Sequence, residues 1–167
     1  MRGEQPTLTV SAIVRHVPFC SGETMQALPD PADPNQAVIQ NVPFFVDSLN
    51  FGDLVRLGPA DEMGIRPVEE IVTPSGCVHF TVLTGELPQA DLVAYLSDLF
   101  HPYAVRIESG ESLLAVSVHP DLEPEEVVYC VFDWFEDLEP PPAEDAFGVS
   151  PLFESEVGPL GYPPTFP

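Results

Sequence analysis

The sequence contains no lysine and only five arginines, against 27 aspartates and glutamates, so its formal net charge at pH 7 is −22. A protein that binds a nucleic-acid backbone must neutralise phosphates with lysine and arginine. Binding to anionic lipid surfaces also requires clustered cations. The composition therefore argues against nucleic acids and membrane surfaces as partners. A GC-rich genome explains the missing lysines, but a low arginine count needs another reason, either a salt-adapted proteome or one cationic partner.

Cysteines and long hydrophobic runs are also scarce. The three cysteines, Cys20, Cys77 and Cys130, are odd in number and far apart, which does not fit a disulfide framework. No apolar stretch is long enough to span a bilayer. The apolar run from Leu8 to Val17 is interrupted by polar residues, unlike that of a signal peptide. We therefore expect a cytoplasmic protein with reduced thiols.

Motifs of known catalytic chemistry are missing as well. The sequence has neither a glycine-rich phosphate loop nor a G-x-S-x-G nucleophile motif. Cys77 and His79 are the only weak catalytic candidates, because the period of a strand places the thiol and the imidazole on one side. No second pair with metal-ligand spacing follows. We expect no enzymatic activity, no metal and no cofactor.

The first half of the chain has the pattern of a small β-sheet. Short apolar segments alternate with polar residues and are separated by turns over residues 7–83, which predicts a short-stranded sheet or partial barrel. Residues 28–36 hold three prolines, which predicts a loop. Residues 37–46 are rich in β-formers but contain Pro43, so we expect an edge strand or a bend between two short strands.

The second half changes to a mixed pattern. A strand precedes a helix that begins at Pro88 and ends before His101, and two further strands follow. A second helix is predicted to enter through Pro124, to be capped by Asp121 and to run to about Leu138. This order is the split βαβ pattern of a ferredoxin-like sandwich.

Together these patterns predict an α+β fold. A single domain over residues 1–138 would combine a β-rich half, residues 7–83, with a ferredoxin-like βαββα half, residues 78–138. Residues 139–167 are rich in proline and are predicted to form an extended tail. The closing strand of the ferredoxin-like half is expected from Leu152–Val157 or from the first half.

The second predicted helix concentrates negative charge. Its apolar residues can face the core, which leaves its acids on the other side. Asp133 forms like-charge pairs with Glu136 and Asp137 at the helix C-terminus, where the helix dipole also disfavours anions. A helix selected for stability alone would not carry this arrangement. The predicted partner-binding residues are Glu125, Glu126, Asp133, Trp134, Glu136 and Asp137.

These observations favour an acidic protein-binding module of the immunity or inhibitor type. It would capture a basic protein, such as a toxin or an enzyme, by charge complementarity. The alternative is a small-ligand-binding or regulatory domain with a site between the two halves, near Asn41 and Asp53. An enzyme that uses Cys77 and His79 is the third interpretation, and a solvated acidic surface in a salt-adapted proteome is the last.

Three short segments resemble a known family. They are N-x-P-F-F at Asn41–Phe45, G-D-x-V at Gly52–Val55 and an S-G turn that leads into a strand at Ser75–Phe80. Over about residues 8–138 the chain is similar to a family of small bacterial proteins known only as a domain of unknown function. The resemblance implies the helix, two strands and helix downstream, and it implies no activity. The chain departs from the family at Val78-His79, where members often carry a basic residue, and in the proline-rich tail.

Overall fold

Two hydrophobic clusters organise the chain, which forms two compact units, residues 1–77 and residues 78–167. The computed structural model describes residues 6–15, 20–103 and 106–138, together with the backbone of residues 148–150. Within these residues no helix is both long enough and apolar enough to cross a membrane.

The first unit is a sheet of short strands whose order closes on itself. Each strand pairs antiparallel with the next, and the last returns to the first through parallel pairing of Val10 with Arg66 and of Ser11 with Pro67. This arrangement confirms the predicted short-stranded sheet or partial barrel. The strands are β1 (Leu8–Ile13), β2 (Gly22–Asp30), β3 (Asp33–Ile39), β4 (Leu54–Leu57) and β5 (Arg66–Thr73).

Alternation along the strands builds the core of this unit. Met25 and Ala27 are buried in β2, Ala37 and Ile39 in β3, while the residues between them are more exposed. Successive side chains of a strand point to opposite faces, so every second residue reaches the interior. The resulting cluster also includes Val10 of β1 and both buried residues of β4.

The prediction of a loop over residues 28–36 is wrong. These residues belong to a hairpin in which β2 runs to Asp30 and β3 starts at Asp33, and the two aspartates pair. The prolines suggested a loop because proline cannot donate to a ladder. In the structure, however, Pro29 adjoins a register shift and Pro31 lies in the turn. A missing N–H is tolerated at such positions.

Two alternatives were open for residues 37–46, an edge strand or a bend between two short strands. The structure shows the bend. β3 ends at Ile39, and the chain then passes through bends and turns until β4 begins at Leu54. Pro43 lies in this bend. The proline therefore marks the interruption between the strands.

The second unit is a four-stranded antiparallel sheet with two helices. The strand order β7-β8-β6-β9 completes the split βαβ pattern and confirms the ferredoxin-like half. The elements are β6 (Val78–Leu83), α1 (Gln89–Leu99), β7 (Arg106–Ser109), β8 (Leu113–Val118), α2 (Pro124–Glu136) and β9 (Gly148–Ser150).

One face of this sheet and one stripe of each helix form the second core. Phe80 and Val116 are buried from the sheet, Leu92 and Leu96 from α1, and Phe135 from α2. The buried stripe of α1 is narrow, because Leu99 in its last turn is 49% exposed. The predicted core positions of α2 are buried or partly buried as expected: Val127, Val128, Val131, Phe135 and Leu138.

Two local predictions for this unit need correction. The closing strand β9 is Gly148–Ser150, which pairs with β6 just before the predicted Leu152–Val157. Residues 152–157 themselves lie outside the described residues. Asp121 does not cap α2, because the cap position is Glu123 and no side chain caps the helix there. Asp121 instead donates its backbone N–H to Nδ1 of His119 at 3.2 Å.

Gly52 and Gly64 provide a matched test of backbone conformation in the first unit. Both have positive φ, +84° and +79°, but a Cβ on Gly52 would lie 3.1 Å from Cβ of Ser75, whereas one on Gly64 would meet nothing within 4 Å. Alanine at either position should cost about 1–2 kcal/mol of backbone strain. We expect Gly52→Ala to lower the free energy of unfolding more than Gly64→Ala does, as measured by urea denaturation. Equal losses would contradict the close approach at Gly52.

Candidate functional site

Helix α2 displays the acids that the sequence assigned to a partner. Glu126, Asp133, Glu136 and Asp137 are exposed and Glu125 is half-buried. These five residues are called the acidic face below. The apolar residues of the helix turn inward to the second core, so the helical period forces the carboxylates outward. The structure therefore places the predicted acids on the exposed side of one helix.

The two ends of α2 differ in how they accommodate these acids. Pro124 occupies the first turn together with Glu125 and Glu126, where the positive end of the helix dipole favours carboxylates. Asp133 and Glu136 lie in the last turn and Asp137 is the C-cap, and no basic residue is present there. Carboxylates at this end oppose the dipole and repel one another. The C-terminal acids are thus unfavourable for the isolated helix.

The acidic face lacks a cationic neighbour among the described residues. The ion pairs found there are Arg56 with Glu70, Arg106 with Glu108 and His119 with Asp121. None involves α2. Arg106 is the only arginine or lysine after residue 77 in the sequence, and its Nε lies 3.7 Å from Oε1 of Glu108. Within the described residues, no cation therefore forms an ion pair with the acidic face.

Two weak acids, Cys130 on α2 and Tyr95 on α1, have raised pKa values. Burial raises the pKa of the Cys130 thiol above its ordinary value of 9.0, and Asp133 and Glu126 raise it further. Burial likewise raises the pKa of Tyr95 on α1 above 10.0, with further contributions from Cys130, Asp133 and Asp137. A raised pKa keeps the thiol protonated and therefore a poor nucleophile.

Aromatic side chains lie on and beside the acidic face. Tyr129 is 62% exposed. Trp134, also predicted to contact the partner, is half-buried, packs against the second core and contacts Phe135 edge-on with ring centroids 5.2 Å apart. Only part of the indole is therefore available to a partner. Tyr129 offers the larger exposed aromatic surface.

Asn41 and Asp53, the residues of the alternative ligand site, hold backbone groups of the first unit. The side-chain oxygen of Asn41 accepts the backbone N–H of Gln26 at 2.5 Å. Asp53 is buried, and its two carboxylate oxygens accept the backbone N–H groups of Asn50 and Ser75, each at 2.8 Å. These contacts give both side chains a structural role.

Glu23 performs a related role that no local sequence pattern indicates. Its carboxylate binds two successive amides, accepting from Phe44 N at 2.8 Å and from Phe45 N at 2.9 Å. The N-x-P-F-F segment is therefore fixed by side-chain oxygens at both ends, through Asn41 and through Glu23. The long separation of Glu23 from Phe44 left no local signal for this contact.

Cys77 and His79 do not form an open site. Cys77 is half-buried just before β6, where its backbone N–H donates to Oγ of Ser75 at 3.1 Å. His79 is only 2% exposed within β6, opposite Ser117. A buried imidazole cannot readily reach a substrate in solvent. Within the described parts of the chain, no group of three or more histidines, cysteines or acids is arranged to hold a metal ion.

Comparison with known proteins identifies the family. The family described as a domain of unknown function, DUF4265, matches residues 23–135. The chain belongs to this family. The crystal structure of a hypothetical protein from Neisseria gonorrhoeae is similar, with a TM-score of 0.61 and 17% identity over 86% of this chain and 92% of that chain. At this identity the likeness shows the fold alone, and no curated protein matches the chain.

The DUF4265 match confirms the resemblance to an uncharacterised family. It begins at Glu23, whose carboxylate holds Phe44 and Phe45. It ends at residue 135, within α2, so Glu136 and Asp137 fall just beyond it. The acidic face thus extends past the matched region.

Asp53 tests the structural role of the G-D-x-V segment in this DUF4265 protein. Asp53→Asn should lower the free energy of unfolding by about 1–3 kcal/mol, because an amide cannot accept both backbone N–H groups with oxygen. The exposed Glu62 provides a control, and Glu62→Gln should change stability little. Chemical denaturation of both variants measures the difference. Equal stability of Asp53→Asn and the parent would contradict the structural role.

The raised pKa values of Cys130 and Tyr95 predict an alkaline loss of stability. The folded state holds their protons more tightly than the unfolded state, so the stabilisation is complete below the ordinary values and is lost as pH rises past them. The free energy of unfolding should fall as pH increases above about 9, and Cys130→Ala should make that fall shallower. Val128→Ala, a packing control, should lower stability without changing the slope. An unchanged slope in Cys130→Ala would contradict the prediction.

Proposed function

We propose that the chain is an acidic protein-binding module that captures a basic protein, such as a toxin or an enzyme, in the manner of an immunity protein or inhibitor. The acidic face of α2 is the proposed contact surface. The supporting observation is a set of exposed carboxylates, close together on one helix, that no cation balances among the described residues. A surface of this kind attracts and orients a cationic partner.

The energetics of α2 support binding over stability as the reason for these charges. Asp133, Glu136 and Asp137 repel one another, and they lie at the helix end that disfavours anions. Arginines or lysines of a partner would relieve both effects. Complementary charge would also speed association and make it sensitive to salt.

An exposed aromatic residue supports the same surface. Tyr129 is 62% exposed and lies on the helix that carries the acidic face. Tyrosine and tryptophan often provide much of the binding energy at protein interfaces. The exposed part of Trp134 would enlarge the contact.

We place this function in the cytoplasm, because all three cysteines are free, as a reducing compartment would keep them.

Charge reversal on α2 tests the proposal. The variant Asp133→Lys/Glu136→Lys/Asp137→Lys should fail to retain the basic protein that the parent chain captures from its own lysate at low salt. Near-molar salt should weaken capture by the parent chain, because screening shortens the range of the attraction. The variant should fold at least as stably as the parent, since it removes repulsion and places cations at the helix C-terminus. Thermal unfolding measures that point.

A variant with the same change of charge elsewhere provides the control. Glu62→Lys/Glu86→Lys/Glu111→Lys alters three exposed acids outside α2 and should retain most of the capture. Loss of capture in both variants would indicate an effect of net charge alone. Unchanged capture in the α2 variant would refute the proposed surface.

A further inference from the structure

Strand β5 has an edge that the rest of the sheet leaves open. Its first two residues, Arg66 and Pro67, pair with β1. From Val68 onward it pairs with β4 on one side only. Among the described residues no strand pairs with its other side over residues 69–73. Such an edge presents backbone N–H and C=O groups to which another strand can add.

The same residues are exposed on both faces of the strand. Residues 69–73 are all exposed, and two of them, Ile71 at 39% and Val72 at 38%, are large apolar residues. Strand residues normally bury at least one face against a core. An added strand would cover these apolar side chains and bond to the open backbone at the same time.

Charge on β5 determines which occupant fits. Pairing two copies of the chain would bring Glu69 and Glu70 of both copies into one short ladder, and like charges across a ladder are unfavourable. Glu70 is partly balanced by Arg56, whose Nε lies 2.6 Å from its carboxylate. Glu69 forms no ion pair within the described part of the chain, although Arg56 also attracts it at longer range. A strand that carries lysine or arginine is therefore favoured over a second copy.

We propose that the open edge of β5 accepts an extended basic segment of another protein as an added strand. The backbone of residues 69–73 would supply the hydrogen bonds, Ile71 and Val72 the apolar contact, and Glu69 the charge pairing. Pro67 and Pro74 flank this stretch, which limits the added strand to a short segment. The site uses none of the residues of the acidic face of α2 and does not depend on that proposal.

A peptide of alternating lysine and valine, six residues long, is a direct probe of this edge. Added to the full chain, it should slow amide hydrogen exchange in residues 69–73. The control is the same peptide with alternate backbone nitrogens methylated, which keeps the charge and removes donors. It should bind about tenfold more weakly, because it loses ladder hydrogen bonds. Equal binding of the two peptides, or slowed exchange only in α2, would overturn the proposal.

Side-chain variants provide a second readout. Ile71→Ser/Val72→Ser should weaken binding of the unmethylated peptide severalfold, whereas Leu99→Ser, at a leucine on α1 that is 49% exposed, should not. Unchanged affinity in the β5 variant would count against the edge. Reversal of Asp133, Glu136 and Asp137 should leave the slowed exchange in β5 intact. A failure at α2 and a failure at β5 are therefore distinguishable.

Discussion

The shortage of cations is the constraint on which the structure depends. With 27 acids and five arginines, most carboxylates have no side-chain cation available, and several in the first unit bind backbone N–H groups instead. Glu23 holds two successive amides of the N-x-P-F-F segment, and Asp53 holds the amide of Asn50 in its own turn and that of Ser75 beyond β5. Asp61 does the same for Met63 and Ile65. Hydrogen bonds to a carboxylate are stronger than those to a neutral acceptor, so these acids stabilise the turns and bends that they hold.

A distinction follows between two classes of acid in this chain. The carboxylates of Glu23 and Asp53 are committed to backbone groups, whereas those of the acidic face on α2 bind nothing among the described residues. The first class accounts for the shape of the bend between β3 and β4. The second class contributes unfavourable energy at the C-terminus of α2. Stability therefore explains the acids that bind backbone groups. It does not explain the acids of α2, for which the remaining reasons are an interaction with another molecule or adaptation to salt.

The sequence predicted the second unit better than the first for a physical reason. The helical period places Val127, Val131 and Phe135 on one face regardless of contacts with distant residues. The local pattern is therefore enough to predict which side of the helix is buried. The hairpin over residues 28–36 depends instead on where each proline falls in the ladder, which composition does not reveal. The contact of Glu23 with Phe44 and Phe45 joins residues 21 and 22 positions apart. Among the candidate site residues, the exposed acids of α2 were predictable from period, whereas the packing of Trp134 against the core was not.

The two surfaces proposed for partners differ in what they would recognise. The acidic face presents charge on a rigid helix, and a folded basic protein could match its spacing without changing shape. The edge of β5 presents backbone groups, and only an extended segment could use them. Net charge favours cationic partners at both, since a chain of −22 repels its own copies at low salt. A basic protein with an extended arm could therefore engage either surface, and the backbone hydrogen bonds at β5 would distinguish strand addition from attraction by charge alone.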